Sequence, residues 1–506
     1  MEKTYKDAVV FAKKFDEYTI NNKIDELKIL IDNAINTLDE GDIIFQTYLL
    51  YSIATAKGTI YQLTKNGSID KENSLKEQLY YYRRSIYNIE KKEYKTKISM
   101  NFENALIASI YVNYGNCLGE CGRTISSINQ YNKALEYMPN YAMAIGNLGG
   151  RLMEYGMLLT DGQEYIRDCL NRSSINYLET AINSKDSNCF IEAKMAFIAM
   201  LSKFHIDYRE YLSKPINMSS VNFHTKKELN YRIWCMKNNL FLSPLNDISK
   251  TELSWADDRL YISKILTSTK DYLPPISFGI FNQLKQEFIF ARYLFYEAIT
   301  INNKTHFADK KTYVYETLDY SLFSLRIEKL KSSFKTLYGI LDKTSFLLND
   351  YFDLGIHEKD VNFYSIWLSE KKGKNGYKYK NTLNYKDNYA LQSLYWISKD
   401  FSDKFAKDIN PLYKELKDIR NSLEHKYTAI TMFKSGDIFQ NREKMYCITE
   451  NDFINKTITL FQIVRETIIS LELAININEI LKTENIDYDT KIANLTITKI
   501  NDNWKV

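Results

Sequence analysis

The sequence predicts an all-α protein in which an N-terminal array of paired helices precedes a C-terminal helical bundle carrying a small β-hairpin insertion. Three observations lead there. Breakers are scarce, with 17 Gly and 6 Pro in 506 residues, so few positions force a helix to stop. Long segments carry apolar residues at 3–4 spacing, the period of one helix face. One segment then repeats small, aromatic and proline positions in register, as stacked helical hairpins require. Hydrophobic residues make up 45% of the chain and charged residues 26%, enough for several globular units to bury their own cores.

The repeat begins in "NYGNCLGECGRTISSINQYNKALEYMPN", where Gly115, Gly122, Ser127, Tyr131, Ala134 and Pro139 stand at telling offsets. Two antiparallel helices approach closely only where small residues occupy their crossing, and the proline stops the second helix. "AMAIGNLGGRLMEYG" follows in register with Leu148, Gly149 and Gly156, and "INYLETAINSKD" supplies a further helix. This spacing resembles the tetratricopeptide repeat. It predicts a repeat array over residues 1–205, best formed near 108–185, with divergent or capping helices upstream. Such an array has a protein or peptide as its possible ligand.

Residues 206–280 read as a helical connector interrupted by Pro215, Pro244, Pro274 and Pro275. Residues 281–506 then predict a bundle of about five helices. Two segments break its period. "LSEKKGKNGYKYKNTLNYKDN" places Lys371, Lys372, Lys374, Lys378 and Lys380 among tyrosines, and reads as an exposed basic loop. It is suited to RNA backbone contact with aromatic stacking, or is simply a soluble loop. "TAITMF" and "KMYCITE" read as the two arms of the β-hairpin.

Several function classes lack support. The six cysteines form no CxxC pair and have no histidine at metal-ligand spacing, so reduced, mostly buried thiols and no bound metal or cofactor are expected. Phosphate-cradling, dinucleotide-binding and zinc-protease motifs are missing. The net charge of +4 is small for this length, so any nucleic-acid contact must come from a local patch. The first residues lack a signal-peptide core, and no apolar run approaches the ~18 residues of a membrane span. A cytoplasmic protein without membrane contact is expected.

The stretch that carries chemistry is "NPLYKELKDIRNSLEHKY", residues 410–427. Asn410 and Pro411 make a good N-cap and first turn. Leu412, Leu416, Ile419 and Leu423 form one buried stripe, and Arg420, Asn421 and His425 lie off it. Asn421 and His425 are four apart, so the amide can orient the imidazole. Arg420 lies about 140° round the helix from His425. For both to reach one phosphate, the helix must end near His425 or a second copy must complete the site.

"RNSLEHKY" resembles the RNA-cleaving signature of the HEPN family (higher eukaryote and prokaryote nucleotide-binding domains), an Arg and a polar residue followed by three residues and a His. "NYALQSLYWISKDF" and "LYGILDKTSFLLNDYF" resemble the helices that precede it in a bacterial branch with tetratricopeptide-like repeats. The resemblance covers roughly residues 280–490. It implies a bundle that forms a homodimer with two motifs facing across a cleft, and a metal-independent endoribonuclease acting on RNA in phage defence or toxin-like growth arrest.

The residue chemistry suits that implication. Imidazoles as a class titrate near neutrality and serve as general acid or base, which is the part expected of His425. Arg420 offers a planar, permanently charged fork against phosphorane charge. Asn421 would position the imidazole or a phosphate oxygen. Glu424, Lys426 and Tyr427 read first as a solvated helix end and second as support. Asp342 and Lys343 read as a structural ion pair, or as additions to the cleft. The competing reading is a non-catalytic interaction module in which the bundle holds RNA or a nucleotide.

Overall fold

The computed structural model describes residues 3–64, 71–91, 94, 102–160, 162–185, 189–204, 207–214, 223, 225–266, 274–300, 305–372, 376–379, 383, 385, 387–402, 411–433, 445–484 and 500–505. The N-terminal half is a run of helices: α1 (Tyr5–Ile20), α2 (Ile24–Asn36), α3 (Ile43–Leu63), α4 (Lys71–Glu90), α5 (Phe102–Glu120), α6 (Thr124–Tyr137), α7 (Ala142–Met157), α8 (Glu164–Ile182) and α9 (Ile191–Ser202). Helix α3 packs on α4, α5 on α6 and α7 on α8.

The small residues sit where these hairpins cross. A Cβ on Gly115 would lie 2.7 Å from the Tyr131 ring, and one on Gly149 would lie 3.0 Å from Leu178. The same hydrogen bond closes both crossings: Ser127 donates to the Gly115 carbonyl at 2.7 Å, and Ser174 donates to the Gly149 carbonyl at 2.7 Å. Two successive hairpins thus share one packing device.

Three shorter helices follow: α10 (Tyr208–Ser213), α11 (Lys226–Lys237) and α12 (Leu245–Ile248). Among the described residues the C-terminal bundle comprises α13 (Ile276–Thr300), α14 (Leu325–Tyr351), α15 (Tyr389–Asp400), α16 (Pro411–His425) and α17 (Glu450–Glu484), five helices where the periodicity places them. Side-chain caps set two of their starts, with Ser324 accepting from the Ile327 N–H and Asn388 from the Leu391 N–H. Helix α17 is 35 residues long, about 50 Å at the helical rise, and α13, α14 and α15 all pack on it.

Helix α15 is buried over nearly all its length, including Lys399 and Asp400. It is sandwiched between α17 and the N-terminal helices, where Glu72 accepts from Tyr385, Tyr395 and Lys399. One apolar core therefore reaches from Ala8 to Ile475, beside a smaller cluster around Ile145, Leu178 and Phe197. The connector joins it too, since Arg465 of α17 pairs with buried Asp247 at 2.7 Å and Arg292 of α13 with Asp258 at 2.7 Å.

Two strand pairs depart from expectation. Strands β3 (Tyr427–Thr431) and β4 (Met445–Thr449) form where the hairpin is expected, but they run parallel. Their connection is about a dozen residues long, enough for the chain to return to the same end of the pair, as parallel pairing requires. Within the basic segment, expected as a loop, β1 (Leu368–Lys372) and β2 (Gly376–Tyr379) pair antiparallel. Alternating Lys and Tyr has a period of two, which suits a strand. None of the six cysteines forms a disulfide, and five are buried. No described helix is long and apolar enough to cross a membrane.

Candidate active site between α14 and α16

Helix α16 is amphipathic, and its buried side consists of Tyr413, Leu416 and Ile419, with Leu423 partly covered. Asn410, expected as its cap, lies outside the described residues, and so does the side chain of Leu412. At the other end Ser422 donates to the Ile419 carbonyl at 2.8 Å and accepts from the Thr428 hydroxyl at 3.0 Å, tying the last turn to β3. The helix stops at His425 and the chain is extended from Tyr427. His425 is still part of the helix, so it keeps its separation of about 140° from Arg420.

Arg420 is half-buried, with its guanidinium 5.6 Å above the centre of the Tyr338 ring and its Nη1 donating to Asn421 Oδ1 at 3.2 Å. The Asn421 carbonyl oxygen is thus turned to Arg420 and not to His425. Arg420 lines a cavity of about 360 Å³ with Lys417 on α16, Tyr338, Leu341 and Asp342 on α14, and Asn362, Phe363, Tyr364, Phe401 and Ser402 from the adjoining loops. Burial pushes the Asp342 carboxyl above its ordinary range, against the pull of the Arg420 guanidinium and the Phe363 backbone N–H.

His425 stands apart from this cavity, exposed at the helix end, and makes no hydrogen bond or ion pair with the described residues. One chain therefore brings Arg420, Asn421 and Asp342 together and leaves the imidazole facing outward.

The supporting candidates divide. The expected Asp342–Lys343 pair does not form, because adjacent helical positions point about 100° apart. Lys343 instead pairs with Glu287 on α13, and Asp342 turns into the cavity. Glu424 meets Lys335 at 4.0 Å in an exposed contact, worth about 0–1 kcal/mol, and Lys426 is exposed. The Tyr427 hydroxyl lies 2.9 Å from Ser321 Oγ and 3.2 Å from Asp319 Oδ2, anchoring the start of β3. Lys371, Lys372 and Lys378 belong to the β1–β2 ribbon by their backbone, while Lys374 and Lys380 lie outside the described residues. Among the described residues, no group of three or more His, Cys, Asp or Glu side chains is placed to hold a metal ion.

Sequence reasoning missed Lys417, Tyr338 and the loop residues of the cavity. Two signals were available: Lys417 precedes Arg420 by three and Tyr338 precedes Asp342 by four, so each pair shares a helix face. Asn362, Phe363, Tyr364 and Phe401 carry no such period.

An all-α bundle with an Arg–Asn pair on a helix that ends in histidine agrees with a HEPN-type domain. Residues 268–478 match the family model described as LA2681-like HEPN, and this part of the chain is similar to HEPN domains. The match runs from before α13 into α17 and encloses every residue of the cavity. A HEPN domain points to nuclease or other RNA-related function. No curated protein and no solved structure matches the chain.

Proposed function

We propose that this protein is a metal-independent endoribonuclease whose site is completed by a second copy of the HEPN domain. The observation that carries the reading is the end of α16 at His425. Arg420 faces a cavity while the imidazole five residues on faces solvent, an arrangement that suits contribution of the two groups from different protomers. In the reaction His425 takes the proton of the RNA 2'-hydroxyl, and the 2'-oxygen attacks the adjacent phosphorus. The bond to the 5'-oxygen breaks, and that oxygen leaves with a proton from solvent. Arg420 holds the charge that builds on the non-bridging oxygens. The products are a 2',3'-cyclic phosphate and a 5'-hydroxyl.

In this reading residues 1–205 are a tetratricopeptide-like array that senses a protein or peptide, and the protein acts in phage defence or toxin-like growth arrest in the cytoplasm. The recurrent Ser-to-Gly closure of successive hairpins supports the repeat assignment. Incubating the full chain with total RNA in EDTA, beside Arg420→Ala and His425→Ala, tests the activity. Ends carrying cyclic phosphate, lost in both variants, are expected. Equal cleavage by all three proteins would sink the assignment. Full cellular effect from His425→Ala would favour the non-catalytic interaction module.

A further inference from the structure

The cavity beside Arg420 is larger than a phosphate requires, and its walls differ in chemistry. At about 360 Å³ it falls at the lower end of small-molecule sites, roughly the 300–1,000 Å³ class, and matches one nucleoside. Tyr338, Phe363, Tyr364 and Phe401 supply ring surface, with Tyr338 and Phe401 edge to face at 5.7 Å. Lys417 and Arg420 bring two cations to the α16 wall. The α14 wall carries the Asp342 carboxylate, an acceptor without a donor of its own when ionised.

Single-stranded RNA is read by stacking a splayed base on aromatic rings and bonding its Watson–Crick edge. A single carboxylate, with lone pairs left beyond its Phe363 N–H bond, selects among the four edges. Guanine presents two adjacent donors, N1–H and the N2 amine. Adenine and cytosine each set one amine beside an acceptor nitrogen, and uracil sets one N–H between two carbonyl oxygens. Only guanine meets a carboxylate with two hydrogen bonds and no opposed lone pairs.

We propose that this cavity is the subsite for a base flanking the scissile phosphodiester, and that Asp342 makes it selective for guanine. The proposal rests on the ribonuclease reading above for its place beside the cleaved bond. Arg420 belongs both to the cavity and to the cleavage motif, so a base stacked here sets its own phosphate against the guanidinium. Lys417 lies one turn earlier on the same helix face and faces the same strand.

The test uses the full-length protein and an RNA pool randomised around the cleavage position, with the ends sequenced. Guanine enriched about tenfold at one flanking position is expected, the size of a bidentate base contact. Replacing that guanosine by inosine, which lacks the N2 amine, should remove most of the preference, and this arm needs no variant. In Asp342→Asn, checked for an unchanged melting curve, the ratio of cleavage at guanosine over inosine should fall to unity whatever the overall rate. Wild-type cleavage without guanine enrichment, or an Asp342→Asn protein that keeps it, overturns the proposal. If the wild type cleaves nothing, the ribonuclease reading fails by itself, and calorimetry with guanosine and inosine 5'-monophosphates reads the cavity alone. Tighter guanosine binding that is lost in Asp342→Asn supports the subsite. Equal or undetectable binding of the two nucleotides overturns it.

Discussion

Arg123 and Glu466 meet at 2.7 Å with both side chains only 2% exposed, joining the turn before α6 to the middle of α17. The same guanidinium donates to Asp400 at 2.9 Å and to the Tyr413 hydroxyl at 3.0 Å. Asp400 is also paired with Arg83 of α4 at 2.7 Å. This buried network holds α15, α16 and α17 against the N-terminal helices. Because Tyr413 lies on α16, the helix bearing Arg420 is oriented in part by a residue near position 123.

Removing the shared acceptor is therefore expected to be costly. Asp400→Ala leaves Arg83 and Arg123 facing each other in a buried place with less counter-charge, and breaking such a pair costs about 3–5 kcal/mol. Urea unfolding followed by circular dichroism should show a loss of that size. An unchanged midpoint would contradict it.

Glu472 predicts a pH dependence. Its Oε1 accepts from Gln163 at 3.0 Å and Asn476 at 2.6 Å, while Oε2 has no hydrogen-bond partner among the described residues. Burial pushes its pKa from 4.5 up to about 8, so the folded state holds a proton that the unfolded state has lost. Its contribution is fully present below pH 4.5 and declines as pH rises toward about 8, by up to about 1.4 kcal/mol per pH unit. Glu472→Gln should flatten that decline and raise the melting temperature most at pH 8 and above. A wild-type-like pH profile in this variant would refute the expectation.

Gly122 stands at the docking point of the two halves with φ +77°. A Cβ there would lie 2.4 Å from the Tyr389 carbonyl oxygen, at the first residue of α15. Gly122→Ala combines left-handed backbone strain with a backbone clash, and a loss of more than about 1 kcal/mol is expected. Thermal unfolding checks it, and a variant as stable as the parent would show that the turn can shift freely.

The composite site has a mixing signature. Arg420→Ala and His425→Ala should each lower cleavage by roughly 10²–10³. A two-fold dimer exchanging one chain of each variant regains one intact Arg–His pair, so an equal mixture should recover about a quarter of the wild-type rate. Recovery of none, with subunit exchange shown by mass spectrometry, would place Arg420 and His425 of one chain in the same site.

The amino-acid sequence by itself determined the helices of the C-terminal bundle, because burial of one face imposes a 3.6-residue period that Leu416 and Ile419 obey locally. It also carried the Arg420, Asn421 and His425 pattern and the small residues at Gly115 and Gly149. Strand direction was not legible: β3 and β4 alternate alike whether parallel or antiparallel, and only the path of the connection selects one. Nor did local period relate Arg83, Arg123, Asp400 and Glu466, or Asp342 to Arg420, which are far apart along the chain. Their meeting is set by how whole helices pack. Burial then decides the chemistry, since a charge withdrawn from water must find its partner wherever the fold brings one.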